Sequence, residues 1–367
     1  MIVFLIAGQK KQYEGVVRPF CNFAKGLYGK TETSFALLNC GHELVMYLKE
    51  NLGVSVVASD NHNQLVTELA ELKPKIVIGD DDLSRLRLLN AVKRGFKNVK
   101  VVAYVQILYG SHAICRNFDL GFLPLREKML FYLCRFLPFL TLTRHYTTEL
   151  NRCDFVIANS KSTATFLQTL YGTDVHGIVY PPVDTEVFKP ILSNKDSKEV
   201  VLYLGSHAGD TPASFTEAIV KNVLRSHYTV NIFGNTNIAS AIKSKHPEVI
   251  YHRNLEDKEL AKLYSRSIFT ICPQRWETFG YVPIESMTCG TPVLVFDCMG
   301  SGETGINGKT GWLATNNQKF LEMLDFVLEN KEIQPDRDFI RKHVEENFSI
   351  NASLKKLEKV LRITVDG

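Results

Sequence analysis

The stretch Pro273–Val293, PQRWETFGYVPIESMTCGTPV, decides how the chain is read. Phe269-Thr-Ile-Cys-Pro273 is a short apolar strand that ends at a proline. A loop follows, carrying Arg275, Trp276 and Glu277. Gly280 permits a tight or positive-φ turn. Pro283 suits the first turn of a helix and Gly290 the position just past its end, which predicts a helix over Val282–Cys289. Val293–Phe296 is then the next buried strand. Strand, loop, short helix and strand make a parallel α/β unit, with the helix N-terminus beyond the carboxyl end of a strand. Backbone N–H groups and the helix dipole make such an end an anion site, suited to a pyrophosphate. Glu285 falls in the predicted first turn, where a carboxylate can accept two hydrogen bonds from a ribose diol. Glu277, one loop earlier, can accept from sugar hydroxyls. The same spacing also fits plainer roles: Glu285 as a complement to the helix dipole, and Glu277 as a solvated loop residue.

The same alternation extends outward. Upstream, Ile2–Ala7, Ile76–Gly79, Lys100–Gln106 and Asp154–Asn159 read as buried strands, and Gly15–Leu27 has helical spacing. Glu43–Tyr47 and Val54–Ala58 carry no clear signal. The Pro-Pro pair at 181–182 closes this half, and Ile191–Lys198 is polar and charged, as a linker would be. The pattern then restarts with Val200–Gly205. Thr211 is expected as N-cap and Pro212 as first residue of the next helix. Thr229–Gly234, Val249–Tyr251, Phe269–Pro273 and Pro292–Asp297 follow as strands. Two parallel α/β domains in series are the expectation, with ligands beyond the carboxyl ends of the strands.

A chain of 367 residues fits two domains of about 150 to 200 residues each. Apolar residues at 45% and charged ones at 22% mark a globular protein, and a net charge of +4 gives no argument for nucleic acid. The opening MIVFLIAGQKK has neither a preceding basic region nor a small-residue cleavage site, and reads as a strand, not a signal peptide. No stretch holds the roughly 18 unbroken apolar residues of a spanning helix. The eight cysteines form no C-x-x-C pair, so buried thiols in a reducing cytoplasm are expected. Met129–Thr143 is rich in Leu and Phe and flanked by Arg126, Lys128, Arg144 and His145. A basic amphipathic helix lying on lipid and a core helix kinked at Pro138 both fit it. Gly79-Asp-Asp-Asp82 suggests a metal site, but no carboxylate or histidine cluster completes a ligand set, so a capping or acceptor-side role is expected. No metal and no cofactor are expected.

The Glu277–Glu285 spacing resembles the E-x(7)-E signature of retaining glycosyltransferases of family 4, which have the GT-B fold. Other segments resemble the same family in order: the first loop and helix over Gly8–Leu27, Cys153–Ser160, Pro181–Pro190, Leu255–Tyr264 and the turn Gly308–Leu313. The resemblance implies two Rossmann-like parallel-sheet domains facing across a cleft, residues 1–185 for the acceptor and 198–345 for a nucleoside-diphosphate sugar. Residues 346–367 would be a helix packing back toward the first domain. It implies sugar transfer to a hydroxyl acceptor, a glycan or lipid-linked glycan, with retention and without metal. Glu285 would hold the ribose. Glu277, with the backbone of Phe279, Gly280 and Tyr281, would hold the sugar and phosphate. Gly15 would let the first loop approach the diphosphate.

The chain departs from the family twice. After the first strand of the second domain the family usually has an arginine and a lysine. Gly205-Ser206-His207-Ala-Gly-Asp-Thr211-Pro212 has neither, leaving Ser206, His207, Arg275, Lys309 and the helix N-terminus to meet the leaving diphosphate. The family often has a histidine just after the fourth strand, near the reacting centre. Gln106 stands there in this chain and His112 follows six residues on, so Glu277, Gln106 and His112 are the catalytic candidates. Two other readings share the fold. One is a non-catalytic sugar-nucleotide or glycan-binding module. The other is a phosphorylase or epimerase, disfavoured by the E-x(7)-E match. The expected location is the cytoplasm, with peripheral contact at the inner face of the membrane if Met129–Thr143 lies on lipid.

Overall fold

The computed structural model describes residues 1–9, 15–108, 125–126, 129, 139–191, 197–205, 211–330 and 333–362. Among these residues the strands form two sheets, parallel throughout. The first contains β1 (Ile2–Ala7), β2 (Thr33–Leu38), β3 (Ser55–Ser59), β4 (Ile76–Asp80), β5 (Lys100–Val105), β6 (Phe155–Ala158) and β7 (Gly177–Ile178), in the order β3-β2-β1-β4-β5-β6-β7. The second contains β8 (Glu199–Leu204), β9 (Thr229–Gly234), β10 (Ile250–Tyr251), β11 (Phe269–Cys272), β12 (Val293–Phe296) and β13 (Gly311–Ala314), in the order β10-β9-β8-β11-β12-β13. Counted from its own first strand, the first sheet runs 3-2-1-4-5-6-7 and the second 3-2-1-4-5-6, the Rossmann order with one strand added to the first, each with a reversal beside its first strand. The reversals lie between β1 and β4 and between β8 and β11.

The chain divides into two compact units, one of residues up to 108, 139–182 and 350 onward, the other of residues 183–349. The central strands of both are continuous apolar runs because helices cover both faces: all of β1 and all of β12 are buried. In the first unit Phe4 stacks on Phe20 and Phe23 from α1 (Arg18–Leu27), and Tyr104 of β5 closes the cluster. The helices α2 (His42–Asn51), α3 (His62–Glu71), α4 (Leu83–Gly95), α5 (Phe139–Leu150) and α6 (Lys161–Leu170) connect the strands of this unit. The second unit carries α7 (Ala213–Arg225), α8 (Thr236–Lys245), α9 (Asp257–Arg266), α10 (Tyr281–Thr288), α11 (Met299–Gly302), α12 (Asn317–Glu329) and α13 (Arg337–Phe348). The last helix, α14 (Ile350–Leu361), returns to the first unit and lies on α1 at Gly26, where an added Cβ would stand 2.3 Å from Leu354 and 2.4 Å from Ile350.

Several boundaries differ from expectation, each for a local reason. The first helix starts at Arg18 rather than Gly15, with Pro19 inside its first turn, and residues 15–17 form a turn before it. Thr211 is not the N-cap of α7. Pro212 takes that place and the helix opens at Ala213, while the Thr211 hydroxyl donates to the Pro273 carbonyl at 2.9 Å. The two unclear segments are α2 and β3. Strands β2 and β13 had no sequence expectation, and β13 is only four residues long. Most of Met129–Thr143 lies outside the described residues. Leu125 and Met129, in helical backbone, are exposed. Among the described residues no helix is long and apolar enough to cross a membrane. Cys21, Cys153, Cys272 and Cys289 are buried free thiols, and Cys40 and Cys298 are half-buried.

Candidate active site

In the second unit the reversal puts the carboxyl ends of β8 and β11 side by side. Gly205 ends one and Pro273–Gln274 the other. Gln274 folds back across the gap, donating from Nε2 to the Tyr203 carbonyl at 2.9 Å. Its side chain occupies the space a side chain at Gly205 would need, 2.8 Å from where the Cβ would stand. Thr211 ties the far side to Pro273. The Oε1 of Gln274 is buried with no partner among the described residues, an acceptor that a water or ligand donor would satisfy. Ser206 and His207 lie outside the described residues.

The loop after β11 leads into α10. Gly280 is the N-cap at φ 94°, a left-handed conformation that glycine adopts without a Cβ penalty. Gly290 at φ 75° ends the helix in the same way. The helix begins one residue earlier than expected, at Tyr281, so Glu285 is in its second turn and not its first. A role for Glu285 as a complement to the N-terminal dipole is thereby weakened, because that effect fades beyond the first turn. Glu285 is 1% exposed and accepts from the Tyr264 hydroxyl at 3.4 Å. Pro283 removes one N–H from the helix start, leaving the backbone donors of Gly280, Tyr281 and Val282 at the dipole's positive end.

Phe279 is 2% exposed and packs edge-on against Tyr281, with Phe348 at 5.8 Å. Its side chain is core, so this position offers a ligand backbone only. Glu277 is half-buried and its carboxyl has no hydrogen-bond or ion-pair partner among the described residues. Desolvation alone pushes it up to about 7. The Cys272 thiol beneath is driven well above its ordinary range, by burial first and by the Glu277 charge second.

Arg275 is turned aside. Its guanidinium stacks on Phe296 at 4.2 Å and donates to Asn317 Oδ1 at 2.7 Å, toward β12 and β13. This placement does not favour the diphosphate role expected for it, because it points away from the β8–β11 reversal. Lys309 is exposed on the turn before β13.

In the first unit Gln106 is 8% exposed and donates from Nε2 to the Val16 carbonyl at 3.3 Å, so it and the Gly15 turn are brought together. A Cβ at Gly15 would meet no atom within 4 Å, and its φ is not in the left-handed region. His112 lies outside the described residues. The three aspartates after β4 all have structural tasks. Asp80 pairs with Arg85 at 2.5 Å and accepts from Asp82 N. Asp82 caps α4 through Ser84 N. Asp81, wholly buried, accepts from the backbone N–H groups of Gln106, Ile107 and Leu108 and from the Tyr146 hydroxyl. The capping role is borne out. Among the described residues no group of three or more His, Cys, Asp or Glu side chains could hold a metal ion. Sequence reading missed Gln274 and the Asp81–Tyr146 pair, because neither sits at a spacing that local rules mark.

Comparison with known proteins agrees with this geometry. Residues 185–345 match the family model for glycosyl transferases group 1. An uncharacterised 41.2 kDa protein in the cps region of Klebsiella pneumoniae is 27% identical over 144 residues, 38% of this chain and 40% of the relative. The lipopolysaccharide core biosynthesis mannosyltransferase LpsB of Rhizobium meliloti is 28% identical over 179 residues, 44% of this chain and 51% of its own. The chain thus spans about half the length of the curated relatives it matches. The crystal structure of Anabaena HepE with UDP-glucose superposes with a TM-score of 0.72 at 14% identity, covering 98% of this chain and 99% of that one. The fold is GT-B, as expected: two Rossmann-like units, each a parallel sheet with helices on both faces.

Proposed function

We propose that the chain is a glycosyltransferase that moves a sugar from a nucleoside-diphosphate sugar to a hydroxyl acceptor, a glycan or lipid-linked glycan, with retention of anomeric configuration. The observation that carries this reading is Glu277. Among the described residues its carboxyl has no protein partner, and it is desolvated to about 7, one loop before a helix N-terminus at the carboxyl edge of a parallel sheet. An unpartnered carboxyl costs stability and is kept where a ligand supplies the partner. Here the partners are the donor sugar's hydroxyls. The N–H groups at the start of α10 meet a phosphate, and Glu285 in the next turn meets the ribose diol. In the first unit, Gln106 and the Gly15 turn, brought together through the Val16 carbonyl, are the residues left for the reacting centre and the diphosphate. The reading has no protein nucleophile: the leaving diphosphate takes the acceptor's proton while the chain positions both substrates and stabilises charge.

A binding module without turnover is the second reading, favoured by one observation: Arg275 is committed to Phe296 and Asn317, and Gly205–Pro212 holds neither arginine nor lysine. Calorimetry with UDP-, GDP- and ADP-sugars, followed by proton NMR of the anomeric signal in any product, separates the two. Tight binding weakened in Glu285→Gln, with an α-linked product from an α-linked donor, supports the transferase. Tight binding with no product from any acceptor mixture supports the module. An inverted product would remove retention.

A further inference from the structure

We propose that Cys298–Gly302, and Gly300 above all, is the positioning element that sets where the Glu277 carboxyl stands. This rests on the reading of Glu277 as the donor-sugar residue. Among the described residues the carboxyl has no side-chain partner, so its place follows from its own main chain. Two contacts tie that main chain to the four-residue helix α11 and the residue before it. The Gly300 N–H donates to the Glu277 carbonyl at 2.9 Å. The Cys298 thiol donates to the Arg275 carbonyl at 3.4 Å. A Cβ on Gly300 would lie 2.1 Å from the Thr278 oxygen, 2.3 Å from its carbonyl carbon and 2.4 Å from the Phe279 Cα. All three are backbone atoms, which move only if the loop moves. One residue on, Ser301 Oγ would stand 3.0 Å from a Cβ on Gly280, the glycine that starts α10.

The approach is reached at a conformational cost. Met299 is at φ 52°, a left-handed conformation uncommon for a residue with a side chain and one that persists where surrounding contacts enforce it. Here it swings Gly300 against the loop. The side of the loop facing β12 is anchored separately, through Arg275 on Phe296 and Asn317. Glu277 therefore stands on a backbone clamped from two directions, with Gly300 as the contact that tolerates no added atom.

The test is Gly300→Ala, read by carbon-13 NMR titration of the Glu277 carboxyl in glutamate-labelled protein, with Glu277→Gln giving the assignment. Wild type should titrate near 7. Displacing the loop opens the carboxyl to water, so the Gly300→Ala midpoint should fall toward the ordinary range, about 4.3. With a donor that turns over, kcat should fall about tenfold or more while KM for the donor stays within about threefold, the pattern of a misplaced reacting group. A folded Gly300→Ala protein with an unmoved midpoint overturns the proposal. If wild type turns over no donor, the functional reading fails, yet the titration still decides the positioning claim. If Gly300→Ala does not fold, Cys298→Ala, which removes only the thiol contact, takes its place: a lowered midpoint supports the proposal and an unchanged one overturns it.

Discussion

Burial, which pushes the Glu277 carboxyl up to about 7, makes a prediction about stability as well as chemistry. The folded-state value of Glu277 lies above that of an unfolded glutamate, so the folded state binds this proton more tightly. Its contribution is whole below about pH 4.3 and is lost as pH rises through about 7. Glu277→Gln has no such loss. Thermal melts should therefore show the variant gaining on wild type from pH 5 to pH 8, although it is inactive. A variant whose offset is the same at both pH values would mean that Glu277 is paired or solvated. Glu285 behaves differently. It is buried and accepts from Tyr264, so Glu285→Ala removes a buried hydrogen bond and should cost about 1–3 kcal/mol in urea unfolding. Glu285→Gln keeps an acceptor and should lose ligand affinity with a smaller loss of stability. Glu277 was legible in the sequence because a strand-ending proline and a turn glycine bracket it. The turn of the helix that holds Glu285 was not, since the left-handed N-cap at Gly280 starts α10 a residue early.

At the scale of elements, the connections that matter are made across long sequence separations, which is why they were not legible. Asp81 gathers three N–H groups from the end of β5 and a hydroxyl from α5, and so holds Leu108 at φ 55°. The sequence showed three aspartates in a row and no hint of which was buried. Hydrogen bonds to a charged acceptor are worth about 1.5–3 kcal/mol each. Asp81→Asn should thus lower unfolding free energy by about 3 kcal/mol, and Tyr146→Phe by about 1 kcal/mol. Equal small losses would show that the carboxylate charge is not what holds the turn. The helix α14 gives a second case. Gly26 carried no expectation of its own within the Gly15–Leu27 segment, yet it is where Leu354 and Ile350 seat. Gly26→Val overpacks this contact and should cost about 1–3 kcal/mol by urea unfolding. What the sequence did carry at this scale was the strand-and-helix alternation, because strands buried on both faces are unbroken apolar runs whatever their partners.

The whole molecule consists of two units built to one plan, each with its reversal beside its first strand. That plan was legible from the restart of the pattern after residue 198, since each half repeats the same order of apolar runs. Of the two readings of Met129–Thr143, a helix on lipid and a core helix, the first is tested at the border of the stretch, where Leu125 and Met129 are exposed beside Arg126. The protein should pellet with phosphatidylserine vesicles, and replacing Leu125 and Met129 with serine should reduce the bound fraction without changing the melting temperature. Equal pelleting by the variant would remove this segment from any membrane contact. The reading of the molecule as a transferase is decided by chemistry at one carboxyl. Release of nucleoside diphosphate should be followed for wild type and Glu277→Gln with UDP-, GDP- and ADP-sugars. Turnover of one nucleotide class by wild type, reduced at least a hundredfold in a folded Glu277→Gln protein, is the expected result, in the range for loss of a transition-state contact. Equal rates for the two proteins would contradict it.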